Sequence, residues 1–266
     1  MTQQSVITCF FMLIVIAGCQ SMDKTAAPDK DRDKFETRKQ IVINSLDSGQ
    51  SAQALNDARL LAQEYPKDPA VLNLLGLAHL SLKNSAKAVE ALEKAASIDR
   101  DNITYNLNLS SALIQAGRYD AANTLLDRCL KAPAISAYKY KERIYHNLGL
   151  VAELTGRSVR AENFYNKALA ENPTNFLTLI KLSRIYESTH RRILAADKLE
   201  TARAACPRCL EPVEGLVRIY MGQKKPNIAR SVVEAMEKNE GLTEQETKRI
   251  LELKKIVSKG TTQTRS

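Results

Sequence analysis

From Phe35 onward, apolar residues recur at intervals of three and four, the spacing of one buried stripe on an α-helix. The whole pattern returns every 34 residues. The clearest unit spans 69–102. It carries Leu74-Leu75-Gly76-Leu77-Ala78, then Ala88, Leu92 and Ala95, then a polar turn at 99–102. Unit 35–68 repeats this with Ile41, Gly49, Ala54, Leu61 and Pro66. Unit 103–136 has Leu109, Ala112, Gly117, Ala122, Leu126 and Cys129, and unit 142–175 has Leu148-Gly149, Gly156, Ala161, Tyr165, Ala168 and Pro173. Unit 176–209 follows with Leu182, Tyr186, Ala195, Leu199, Ala202 and Pro207, and unit 210–239 with Leu216, Tyr220, Ala229 and Met236. Each unit reads as two amphipathic helices. Gly49, Gly117 and Gly156 mark the turn between them, and Pro66, Pro173 and Pro207 stop the second helix. Alternating β-branched runs are nearly absent, so no sheet is expected. Residues 243–259 form a further amphipathic helix with Ile250, Leu253 and Val257 on one face, opened by a Thr243/Glu246 capping box. The period breaks once: five extra residues fall within 132–141, around Pro133, Tyr138 and Tyr140, where a longer loop or a bend is expected.

This pattern resembles the tetratricopeptide repeat over about residues 35–239. The resemblance implies an all-α fold, a right-handed α-solenoid of about six helix pairs plus a C-terminal capping helix. One unit cannot bury its own apolar face, whereas stacked units can.

Ahead of the repeats, Val6 to Gly18 is a run of 13 uncharged residues ending in Ile16-Ala17-Gly18-Cys19. It is too short to span a bilayer, which takes about 20 apolar residues, and it has the form of a secretory signal. Its last four residues resemble a bacterial lipobox. That resemblance implies a signal peptide at 1–18, cleavage before Cys19 and acylation of Cys19. Residues 19–34 read as a polar tether spanning on the order of 20 Å, and residues 260–266 as a disordered tail.

The chain has 39 Lys and Arg against 30 Asp and Glu, a net charge of +9. The cations are dispersed, Trp is absent and no basic run is interleaved with aromatics, so nucleic acid is not an expected partner. The charge suits anionic lipid or an acidic protein surface. Cys206-Pro207-Arg208-Cys209 has C-x-x-C spacing. In an exported chain this reads as a local disulfide, with free thiols and a redox or metal pair as the alternatives. The spacing holds no metal motif, no phosphate loop and no nucleophile elbow. No catalytic residue, metal or cofactor is expected, and function is assigned to surfaces.

Repeat spacing puts one face of each first helix on a concave groove. Its residues are Lys39, Ile43 and Leu46, then Asn73, Leu77 and Leu80, then Leu107, Ser111 and Ile114, with Asn108 beside them. His146, Leu150 and Glu153 follow, and then Ile180, Arg184 and Glu187. The first three units thus offer an apolar stripe and the fifth a charged one. An exposed apolar stripe suits the apolar face of a helix or an extended segment of a partner. A carboxylate clamp is not expected, because Leu77 stands where a polar side chain would be needed.

Lipobox, polar tether and six repeats together resemble the PilF/PilW/Tgl family of outer-membrane lipoproteins, the pilotins of type IV pilus systems. Asn147-Leu148-Gly149-Leu150 after a Tyr-containing insertion, followed by Ala161 to Pro173, is similar to that family's middle repeats. The family implies a monomeric, palmitate-bearing protein hung in the outer membrane and facing the periplasm. Its partner would be the secretin, whose localisation and multimer assembly it promotes. Gln20 after the Cys fits outer-membrane sorting. A scaffold for cell-wall hydrolases or outer-membrane assembly machinery is the alternative, and a C-x-x-C oxidoreductase a distant third. If Cys19 carries the lipid, Cys19→Ser leaves an uncleaved precursor that takes up no labelled fatty acid in growing cells. Continued labelling of that variant would remove Cys19 from the account.

Overall fold

The computed structural model describes residues 30–263, so the expected signal peptide, Cys19 and most of the tether lie outside the described residues. Thirteen α-helices and one short 3-10 turn occur among the described residues, and no strand. The helices pair along the chain: α1 (Lys30–Asp47) with α2 (Ser51–Glu64), α3 (Pro69–Ser81) with α4 (Ser85–Ile98), and α5 (Ile103–Gln115) with α6 (Tyr119–Lys131). Then come α7 (Lys141–Leu154) with α8 (Ser158–Glu171), α9 (Phe176–Ser188) with α10 (Arg192–Ala205), and α11 (Leu210–Gly222) with α12 (Pro226–Glu237). The last helix, α13 (Glu244–Gln263), packs on both α11 and α12. This is an all-helical solenoid of six helix pairs with a capping helix.

Two boundaries differ from expectation. Residues 30–34, expected in the tether, are the first turn of α1, where Asp31 and Asp33 complement the positive end of the helix dipole. At the other end α13 continues through Gln263, past the expected stop at 259. Its capping box forms as the residues predict: the Glu246 amide donates to Thr243 Oγ1 at 3.2 Å, and the Thr243 amide donates to Glu246 Oε2 at 2.7 Å. Ile250, Leu253 and Val257 are buried against the sixth pair.

The two helices of a pair are held close by a small residue facing a large one. A Cβ placed on Gly149 of α7 would lie 2.5 Å from two ring carbons of Tyr165 on α8. Gly76 of α3 faces Leu92 of α4 in the same way, sixteen residues on. The same two places hold Ser110 and Leu126 in the third pair and Ser183 and Leu199 in the fifth, all buried. In the first pair the sizes reverse, with Val42 and Ala58 buried, and in the sixth both are valine, Val217 and Val233. Summed volume is what a close-packed interior constrains. The serines fill their sites without an unpaired hydroxyl, because Ser110 and Ser183 donate to the carbonyls of Leu107 and Ile180.

Turns inside the pairs are equally regular. Each contains one residue in the left-handed region: Gly49, Lys83, Gly117, Gly156, His190 and Lys224. The amide that follows it bonds back to a carbonyl five residues earlier, from Gln50 to Ser45, Asn84 to His79, Arg118 to Leu113, Arg157 to Ala152, Arg191 to Tyr186 and Lys225 to Tyr220, all at 2.8–2.9 Å. This is the Schellman ending of a helix. Glycine serves the turn best, yet half of the turns use Lys or His.

Between pairs, Asp68, Asn102 and Asn175 cap the next first helix by accepting from the amide three residues ahead. At the equivalent place before α11 stands Cys209, which makes no cap bond. It is joined to Cys206 in a disulfide with Cα atoms 5.4 Å apart. Three pairs earlier the same clasp is a hydrogen bond, Asn102 Nδ2 to Asp99 Oδ2 at 3.0 Å. The C-x-x-C spacing is thus a covalent version of a turn contact already in the repeat.

The inserted stretch folds. Pro133–Ala137 is the 3-10 turn, Ile135 and Tyr138 pack against the core of the second to fourth pairs, and Tyr138 meets Tyr140 edge-on at 6.0 Å. Adding a methyl at Gly149 tests the small-on-large rule. Gly149→Ala is expected to lower stability by about 1–3 kcal/mol. Gly149→Val with Tyr165→Ala, which copies the first pair, should be more stable than Gly149→Val alone by urea denaturation.

Candidate functional site

The first helices lie on the inside of the stack. Besides chain neighbours, α1 touches α3, α3 touches α5 and α5 touches α7. Side-chain bonds continue this ladder. Asn108 Nδ2 donates to Asn73 Oδ1 at 2.9 Å, linking α5 to α3. Asn147 Nδ2 donates to Ser111 Oγ at 3.0 Å, linking α7 to α5. Further along the bonds become ionic: Lys181 to Glu153 at 3.2 Å, and Arg218 to both oxygens of Glu187 at 2.9 Å. Arg184 pairs with Glu211, and Arg249 with Glu214.

The ladder divides the expected groove residues into two sets. Ile43, Leu46, Leu77, Leu80, Ser111, His146 and Leu150 are partly open to solvent. Leu107 is completely buried, and Asn73, Asn108 and Ile114 are buried as well. These four are corrected from groove-lining to structural. Successive first helices lean on each other at that place, so Asn73 and Asn108 spend their polar groups on one another and Leu107 fills the core. Ile180 is buried for the same reason.

Two open residues were missed. Leu177 is 62% exposed and Leu154 47%. Leu177 lies seven residues before Arg184, and Leu154 four after Leu150, so both fall on the stripe already traced. Counting only three places per helix passed them over; the i+4 and i+7 relation finds them. The open apolar stripe is therefore Ile43, Leu46, Leu77, Leu80, Leu150, Leu154 and Leu177. Beyond it the face turns ionic around a concavity of about 580 Å³ that includes Arg184, Glu187, Glu211, Glu214 and Arg218.

The polar residues at the join of the two halves are structural. Tyr165 reaches past Gly149 and its hydroxyl donates to Glu153 Oε2 at 2.6 Å, while the other oxygen of Glu153 holds Lys181. His146 Nδ1 lies 2.8 Å from Thr178 Oγ1. The Thr178 hydroxyl donates to Asn175 Oδ1, which also accepts the Thr178 amide. Its one proton is thereby spent, so His146 must donate from Nδ1 to Thr178. Burial, reinforced by Lys181, pushes the His146 pKa down to about 4. Neither group is placed as a proton donor to a ligand. Cys129, the free thiol, is buried, and burial lifts its pKa to about 11, so it is a packing residue and not a nucleophile. No group of three or more metal-ligating side chains occurs among the described residues.

Fold and repeats together define a tetratricopeptide-repeat protein. Family models described as tetratricopeptide repeat match residues 42–103, 79–138 and 142–175. The chain is similar to the type IV pilus assembly protein PilF of Pseudomonas aeruginosa, with 24% identity over 166 residues. That match takes in 61% of this chain and 65% of the relative, so it spans just under two thirds of the relative's length. The solved structure of Pseudomonas aeruginosa PilF superposes with a TM-score of 0.64 at 17% identity, over 84% of this chain and 99% of that one. PilW, described as a widely conserved type IV pilus biogenesis factor, superposes with a TM-score of 0.66 at 16% identity, over 81% and 98%. At these identities the two structures speak for the fold.

His146 makes stability depend on pH. Its folded pKa of about 4 lies below its ordinary value of 6.5, so the unfolded chain takes up the proton first. The stabilising contribution is full above pH 6.5 and is lost as pH falls toward 4, a loss of roughly 3 kcal/mol. His146→Gln is expected to remove that part of the acid sensitivity. Denaturation midpoints of the two proteins across this range provide the check.

Proposed function

We propose that this chain is a non-enzymatic outer-membrane lipoprotein of type IV pilus biogenesis, a pilotin that holds secretin subunits in its groove. On this reading the acylated Cys19 fixes the protein to the inner face of the outer membrane. The groove binds one secretin segment by its apolar side, and the tether lets the loaded solenoid move along the membrane to the site of assembly.

The observation that carries the reading is the open stripe of seven apolar side chains on the inside of a solenoid similar to PilF and PilW. A soluble protein gains nothing from exposing such a stripe unless a partner covers it. Its shape suits an amphipathic helix or an extended segment laid along the first helices. The apolar side chains come from α1, α3, α7 and α9, with Ser111 of α5 between them, and the ionic half beyond can fix direction and register.

Leu77→Lys with Leu150→Lys puts two charges on the track without touching the buried set. In a strain lacking the native gene, this variant is expected to leave secretin monomer abundant and heat-resistant secretin multimers absent, at unchanged helix content and protein level. Wild-type multimers in that strain would sink the groove. Wild-type multimers in the gene deletion itself would sink the pilotin reading altogether.

A further inference from the structure

In a solenoid of helix pairs, all turns within pairs lie along one edge. The chemistry of that edge changes halfway along the chain. The residues from each second-helix cap onward read Gln50-Ser51-Ala52-Gln53, Asn84-Ser85-Ala86-Lys87 and Arg118-Tyr119-Asp120-Ala121 in the first three pairs. In the last three they read Arg157-Ser158-Val159-Arg160, Arg191-Arg192-Ile193-Leu194 and Lys225-Pro226-Asn227-Ile228, with Lys224 just ahead as Lys83 is in the second pair. The first turns of α8, α10 and α12 contain no acidic residue, as is true of α2 and α4, whereas α6 has Asp120. Arg191 is held by Glu162, whereas Arg157, Arg192, Lys224 and Lys225 make no ion pair. Arg160 and Lys167 flank the Phe164 ring beside a concavity of about 780 Å³.

These cations are placed against local helix preference. The cap position favours Ser, Thr, Asp or Asn, and a positive charge there opposes the helix dipole. Arg157, Arg191 and Lys225 make no cap bond. Between them stand Val159 and Ile193, 85% and 82% exposed, the most open of the large apolar side chains described. They sit 34 residues apart, at the same place in successive pairs. Single apolar tips set among unpaired cations match the headgroup zone of a membrane: phosphate for the cations, shallow acyl surface for the tips.

We propose that the turn edge of the fourth to sixth helix pairs docks on an anionic phospholipid bilayer. The complementarity is direct, since the edge offers unpaired cations and exposed helix amino ends, both of which bind phosphate. It leaves the groove on the other side of the first helices open to a partner. The proposal stands on these residues and does not require the pilus reading.

The test uses the chain from Gln20 onward, which contains the whole solenoid and lacks both the apolar run and the acylated Cys19. Sedimentation with vesicles holding about 30 mol% phosphatidylglycerol is compared with neutral phosphatidylcholine vesicles, at low and high salt. Binding to the anionic vesicles is expected to be about tenfold stronger and to weaken with salt. Arg157→Glu/Arg160→Glu/Arg192→Glu should abolish that preference while keeping thermal stability, because carboxylates suit helix amino ends. Val159→Ser/Ile193→Ser should weaken binding about fivefold. Leu77→Lys/Leu150→Lys should bind vesicles as the parent does, which separates this result from the groove. Equal binding to both vesicle types, or parental binding by the triple variant, overturns the proposal. So does a parent that ignores vesicles but loses affinity for polyglutamate in the triple variant, since the edge would then meet an acidic protein.

Discussion

Everything in this solenoid hangs on one contact, between a side chain in the first helix of a pair and one sixteen residues on in the second, small against large in four pairs of the six. It fixes how near the two helices come and where they cross. Crossing geometry fixes the face that each pair shows to the next. The contact conserves volume and not identity: Gly149 with Tyr165, Gly76 with Leu92, Ser110 with Leu126, Val42 with Ala58. Because each pair touches only its neighbours, an error at one such contact would tilt all pairs beyond it relative to those before. This is why the regular turns matter as well. Six identical Schellman endings keep the second helix leaving at one angle, even where Lys83, His190 and Lys224 must adopt a backbone that glycine would take at lower cost.

Much of this was legible in the sequence, because the fold is written at short range. A helix pair, its turn and its stop signals lie within 34 residues, and the Thr243/Glu246 capping box within four. The groove was legible only in part, because it depends on relations between units. Nothing inside the third unit says that Leu107 is core while Ser111, four residues on, is open; that follows from how closely α3, α5 and α7 approach. The same approach turned Asn73 and Asn108 from groove polar groups into a buried amide pair, which must be paired to be tolerated. The disulfide was one of three readings of C-x-x-C. Its place becomes clear only when Cys206 and Cys209 are superposed on Asp99 and Asn102, the pair that makes the same clasp with a hydrogen bond.

The five-residue insertion has a related consequence. It sits between the third and fourth pairs and is stapled down by Ile135 and Tyr138. Beyond it the ladder between first helices gains ion pairs, beginning with Lys181 to Glu153, and the turn edge becomes more basic. Two surfaces therefore change character at the same joint. Packing alone does not require this, since the buried pair keeps a similar summed volume across the joint, Ser110 with Leu126 before it and Gly149 with Tyr165 after it.

The ionic half of the groove contributes differently from the apolar half. Arg184 with Glu211 and Arg218 with Glu187 are half-exposed pairs already satisfied inside the protein. Such pairs are worth little to stability, on the order of 0–1 kcal/mol each. A partner that lay on them would have to break or desolvate them, so they add little net affinity and reject segments of the wrong charge. In the proposed groove, affinity would then come from Leu77, Leu80, Leu150, Leu154 and Leu177, whose removal from water costs no existing bond. Apolar burial is non-directional, so this stripe alone would accept many segments. The ions alone would hold few. Placed end to end on one face, they would separate the two tasks, and on the proposed reading a segment apolar at one end and correctly charged at the other would satisfy both.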